Sequence, residues 1–118
     1  DEKIYPYLKW PKANANTPSK KLFLTGVGGI LYPPNKNFNL LIKNYPLAKE
    51  LAPTSDDVFF WGVSEYLNLE KILLSFNELD DVRELLNSPS LFNINNCLKL
   101  NKNDYSIKKV VDFFKILI

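Results

Sequence analysis

The stretch 58–67 constrains the fold more than any other part of the chain. It reads Val58-Phe59-Phe60-Trp61-Gly62-Val63-Ser64-Glu65-Tyr66-Leu67. Wound as a helix, it carries apolar residues on nearly every face. A surface helix confines such residues to one stripe, so this one has to be covered from several sides. Pro53 stops whatever precedes it, and Thr54 or Ser55 stands where a cap belongs. A helix is therefore expected from there to about Leu67, with the rest of the chain packed around it.

Enough apolar material is present for that purpose. The chain has 118 residues, of which 46% are apolar, and this argues against wholesale disorder. The length suits one small domain, 1–118, or the C-terminal fragment of a larger one. A short helix or helical turn is expected at 38–43, and a second is opened by Pro46 and closed before Pro53. Two more are expected at 79–86 and from about Tyr105 to Leu117, the last capped by Asp104 or Ser106. Runs of strand formers at 21–25, 30–32 and 71–74 read as strands, and 91–100 is ambiguous. The expected class is mixed α/β, with a small mixed sheet and about four helices. Residues 1–19 are broken by Pro6, Pro11 and Pro18, yet Tyr5, Tyr7 and Trp10 suggest a segment that lies on a core.

Several functions are excluded by residue type. Histidine is absent, which removes His-based triads and His-ligated zinc. Cys97 is the only cysteine, so no intrachain disulfide can form, as suits a reducing compartment. The net charge of +2 is spread out and forms no basic stripe of the kind that binds nucleic acid. No apolar run approaches the roughly 20 residues that span a bilayer. The chain lacks Met, and its first residues have no signal-peptide character, so it is expected to begin inside a longer protein.

Three features could carry chemistry. Thr25-Gly26-Val27-Gly28-Gly29 lacks the Gly-Lys-Ser/Thr ending of a phosphate loop and the spacing of a dinucleotide fingerprint. Its glycines would let the backbone approach a flat ligand closely, or would simply make a tight turn. Asp56 and Asp57 head the apolar helix. One carboxylate could serve as a general base while the other orients an acceptor. They could equally favour the positive helix end, with Thr54 and Asp57 forming a capping box. Trp10, Tyr32 and Trp61 could stack on sugar rings or pack in the core, and Trp10 and Tyr32, beside proline turns, are the better placed. A second acidic pair, Asp80-Asp81, reads as a solvated face.

Read together, Tyr5-Pro6-Tyr7-Leu8-Lys9-Trp10, Phe23-Leu24-Thr25-Gly26-Val27-Gly28-Gly29-Ile30-Leu31-Tyr32-Pro33-Pro34 and Leu51-Ala52-Pro53-Thr54-Ser55-Asp56-Asp57-Val58-Phe59-Phe60-Trp61 resemble the second half of bacterial glycosyltransferases found among capsule and lipopolysaccharide genes. Leu91-Phe92-Asn93-Ile94-Asn95-Asn96, with Asn103-Asp104 and a helix, resembles the end of those proteins. The resemblance implies the acceptor-side half of a nucleotide-diphospho-sugar transferase of the GT-A type. It implies Asp57 as the base, Asp56 as its neighbour at the acceptor, and Gly28 and Gly29 against a sugar. With Thr25, Gly26, Tyr32, Trp10 and Trp61 these make up the expected substrate site. The implied partners are a nucleotide-sugar donor and a glycan or lipid-linked acceptor, in the cytoplasm or at the inner face of the membrane. Contact with a membrane surface and an oligomer formed through an exposed apolar face are both open. The Mn²⁺ or Mg²⁺ of such enzymes is held by an Asp-x-Asp motif, which this chain lacks. The chain is therefore expected to be an excised fragment or an inactive remnant. The alternative is a non-catalytic module that binds carbohydrate or protein.

Overall fold

A computed structural model describes residues 4–26, 29–75, 95 and 101–116. Its architecture follows from the apolar helix. That helix, α3 (Asp56–Tyr66), buries Val58, Phe59, Trp61, Gly62, Val63 and Ser64. Among the described residues, three further helices cover it: α1 (Lys36–Ile42), α2 (Tyr45–Leu51) and α4 (Lys102–Phe114).

Local chemistry sets where these helices begin and end. Pro33-Pro34 cannot extend a helix backwards, and the Asn35 side chain then accepts the Phe38 N–H at 3.0 Å. Asn44 does the same for Leu47 at 3.3 Å, and Pro46 sits in the first turn, where it lacks no needed donor. Ser55 occupies the cap position of α3 without a side-chain cap bond. Asp56 and Asp57 instead place negative charge at its positive end. The capping box expected between Thr54 and Asp57 does not form. The Thr54 hydroxyl donates to Asn95 Oδ1 at 2.6 Å, and the Asp57 carboxylate turns elsewhere.

The last helix starts three residues before the expected Tyr105, after Asn101 with its positive φ of 25°. Asp104 is therefore inside the first turn and is no cap; its Oδ1 accepts the Tyr7 N–H at 2.7 Å. This bond ties the N-terminal segment to α4. Against α3, α4 presents Ile107, Val110 and Phe114. The two helices approach closely at Gly62, where a Cβ would lie 2.1 Å from Val110 Cγ1.

The expected mixed α/β fold is not what forms. Among the described residues there is no strand and no sheet. Segments 21–25 and 30–32 make no ladder, and 71–74 contributes one isolated antiparallel bridge, Lys71 to Ser19. Strand propensity records how well a residue suits a half-buried pleated surface, and it needs a neighbouring strand to be realised. Here Phe23 and Tyr32 pack against the helical core from segments without a ladder, while Leu31 is left 98% exposed. The helix expected at 79–86, the ambiguous 91–100 apart from Asn95, and the pair Asp80-Asp81 lie outside the described residues.

Residues 4–26 wrap the helices. A one-turn 3₁₀ helix, Tyr7–Lys9, brings Tyr7 and Trp10 against Phe23 and Trp61, with ring centroids 5.5–6.0 Å apart. Tyr7 and Trp10 thus lie on the core as expected, whereas Tyr5 is 74% exposed.

Candidate functional site

The two features singled out by the sequence meet in space. The Gly26 N–H donates to both carboxylate oxygens of Asp57, at 3.0 and 3.1 Å. A Cβ at Gly26 would stand 3.0 Å from Asp57 Oδ1, so a side chain there would make the carboxylate give by a few tenths of an ångström. The Gly29 N–H closes the turn onto the Gly26 carbonyl at 2.9 Å, and Gly29 has a φ of 85°, which side-chain-bearing residues rarely adopt. Thr25 is exposed beside it. Gly28 lies outside the described residues.

Asp57 is half-buried at the second position of α3. Burial pushes its carboxyl above the ordinary 3.8; the Gly26 N–H opposes this, and the charge of Asp56 adds to it. No ion pair among the described residues offsets that charge, since the bridges there are Lys71–Glu65 and Lys108–Asp112. Asp56 is exposed, and its Oδ1 accepts the Asp57 N–H at 3.0 Å.

Two phenols share this environment. Tyr32 is pushed up to about 12, first by burial and then by the charges of Asp57 and Asp56. Tyr7 is raised for the same two kinds of reason, burial and then Asp57. Both therefore keep their protons at neutral pH, beside a carboxylate that holds its proton more readily than usual. Such a group accepts a proton from a hydroxyl more readily than an ordinary surface carboxylate does. Sequence reasoning missed Tyr7 as a site residue. Its only signal was an aromatic run between prolines, and the chain's return over α3 is what places it here.

The expected aromatic platforms divide. The Tyr32 ring stacks on Phe38 at 5.0 Å and meets Phe60 edge-on at 5.5 Å, while its hydroxyl lies within the field of the aspartates. Trp10 is half-buried in the ring cluster, and its indole N–H donates to the Tyr5 carbonyl at 2.7 Å. Trp61 is 8% exposed. Its Nε1 is buried with no hydrogen-bond partner among the described residues, a costly arrangement that marks the ring as core material. Both tryptophans thus spend their faces on other rings.

A cavity of about 200 Å³ opens one helical turn along α3 from Asp57. Tyr32, Phe60 and Trp61 contribute to its wall, together with Ser64 and Lys71; neither aspartate lines it. Lys71 is an unexpected component. Its side chain is 7% exposed, and its ammonium sits 2.5 Å from Glu65 Oε1. It also donates to Ser64 Oγ at 3.4 Å, while the Ser64 hydroxyl donates to the Trp61 carbonyl at 2.7 Å. Nothing in a Glu-Lys dipeptide after a helix signals such burial.

The aspartates are poorly arranged for a divalent metal. Both oxygens of Asp57 are committed to Gly26, and one of Asp56 to a backbone N–H. Among the described residues no group of three or more acidic or cysteine side chains converges. No described helix is long and apolar enough to cross a membrane. Comparison with protein-family models, curated proteins and solved structures found no match to this chain.

Proposed function

We propose that this chain is the acceptor-side portion of a glycosyltransferase that moves a sugar from a nucleotide-sugar donor to a glycan or lipid-linked acceptor. The observation that carries the reading is the contact of Asp57 with the glycine turn. A half-buried carboxylate of raised pKa lies against a backbone that can approach a ligand closely. In the reaction the acceptor hydroxyl gives its proton to Asp57 as its oxygen bonds to the anomeric carbon. The bond from that carbon to the diphosphate breaks, and the diphosphate leaves with the electron pair. Gly26 fixes the carboxylate, and Asp56 adds negative charge beside it. The Mn²⁺ or Mg²⁺ that would neutralise the leaving diphosphate would be held by residues beyond this chain. The reaction would take place in the cytoplasm or at the inner membrane face.

The test is Asp57→Asn in the complete gene product. Transfer should be lost while the thermal midpoint is kept or raised. Undiminished turnover would remove Asp57 from the chemistry.

The cavity beside Tyr32 and Phe60 favours a second reading, a binding module without catalysis. Titrating the chain with sugars and nucleotide sugars separates the two. Sugar binding that ignores the nucleotide, together with unaltered binding in Asp57→Asn, would favour the module.

A further inference from the structure

The segments with strand composition and no ladder border one slot. On one bank, Ser19 and Lys71 exchange backbone bonds at 2.8 and 3.0 Å, and the Asn16 N–H reaches the Leu73 carbonyl at 2.6 Å. In an antiparallel pair, a residue that exchanges both bonds leaves its neighbours' N–H and C=O groups on the opposite edge. Glu70, Ile72 and Leu74 therefore point their backbone groups away from Ser19, and these make no hydrogen bond among the described residues. On the other bank, the backbone groups of Ile30, Leu31 and Tyr32 are equally unpaired among the described residues. Residues 30–33 and 69–72 line the same cavity, with Phe60 and Trp61 of α3 also in its wall; Leu74 lies outside it.

Of the usual guards of an edge, the slot has Pro33 at the end of one bank and Glu70 and Lys71 on the other, with the Lys71 side chain buried against Glu65. Ile72, Leu73 and Leu74 are 44%, 40% and 53% exposed, and Leu31 is 98% exposed. No proline, bulge or lysine interrupts 72–74, although natural edges are commonly blunted in that way. Unpaired backbone on both sides of an apolar slot calls for an occupant that is itself extended backbone. A small molecule would leave most of those groups without partners. The edge strand of a second folded copy has one free side, and the slot has two banks.

We propose that the slot between 30–33 and 69–72 receives an extended peptide segment of another polypeptide as an inserted β-strand. Its alternate side chains would be apolar and fill the cavity over Phe60 and Trp61. Its outward residues would be neutral or basic, because Glu70 is exposed at the rim and Lys71 is already neutralised by Glu65. Main-chain bonds to both banks would supply the affinity, and the cavity the selectivity.

The probe is a synthetic peptide of alternating threonine and valine flanked by lysines, added to the 118-residue chain. Saturable binding is expected, with slowed amide exchange at Ile72, Leu74, Ile30 and Tyr32. The same peptide N-methylated at alternate residues should not bind. Leu31→Asp, at a fully exposed position, should weaken binding by about tenfold through lost apolar burial, with folding unchanged. Absence of saturable binding would overturn the proposal. So would equal binding of the N-methylated peptide, which would reduce the slot to an apolar patch. Concentration-dependent dimerisation that protects the same amides without peptide would assign the slot to a second copy and equally overturn it.

Discussion

Gly62→Ala is the sharpest test of the packing that holds the site in place. The new methyl would sit 2.1 Å from Val110 Cγ1 and 3.4 Å from Phe114 Cδ2. Carbon atoms in contact prefer about 3.5–4.0 Å, so Val110 or the helix axes must move by more than an ångström. Val110 is fully buried and β-branched, with one strongly preferred rotamer in a helix, so it has little room to turn away. Overpacking of this kind costs about 1–3 kcal/mol, and the severity of the clash places it near the upper figure. Alanine recovers about 1 kcal/mol through its better helix propensity. The net loss is about 2 kcal/mol, or roughly 8 °C in thermal midpoint for a domain of this length. Urea denaturation followed by tryptophan fluorescence gives the value directly. Adding Val110→Ala should cost much less in the Gly62→Ala background than alone, because it removes the clashing methyl. A Gly62→Ala protein as stable as the parent, or more stable, would show that α3 and α4 do not approach each other here.

Three other outcomes follow from the electrostatics. The folded-state pKa of Asp57 is raised, so the native state binds that proton more tightly than the unfolded chain does, and stability should fall as pH rises above 3.8 through the folded value. Asp57→Asn should flatten this slope and melt higher at neutral pH; an unaltered slope would place the source elsewhere. Tyr32 should ionise near 12, and its share of stability should decline between the unfolded value of 10 and that pH. Ultraviolet titration of Tyr32→Phe identifies its step, and in Asp57→Asn the step should move to lower pH as one repelling charge disappears. Lys71→Met strands the Glu65 charge, whose side chain is 11% exposed, and should cost about 3–5 kcal/mol. Replacing Glu65 by Leu in the same protein should recover most of that loss in chemical denaturation; a mild single-mutant effect would show that the pair is solvated.

Helix positions were legible in the sequence because their signals are local. Pro46 marks a helix start and the all-round apolar pattern of 58–67 requires burial whatever surrounds it, whereas the Asn35 and Asn44 caps were not anticipated. The meeting of the acidic pair with the glycine turn had no such signal. Gly26 and Asp57 are 31 residues apart, and no periodicity encodes a contact across that distance. Tyr7 joined the site for the same reason, through a bond to Asp104 some 97 residues away.

Residue order alone was enough to expect a helix at each described helical segment, though with starts two and three residues late for the first and last, to make α3 the hub and to rule out histidine chemistry. The fate of the strand-like segments depended on contacts far along the chain. Extended residues become a sheet only when another edge comes within hydrogen-bonding reach. Among the described residues the backbone pairing of these segments stops at the Lys71–Ser19 bridge and the Asn16–Leu73 bond beside it, so Phe23 and Tyr32 pack on the core without a ladder while Leu31 and 72–74 stay exposed. Folding also turned Asp57 towards a glycine backbone and two phenols where a cap was equally compatible with the spacing. A carboxylate's pKa depends on burial and neighbouring charge, and both are properties of the folded chain.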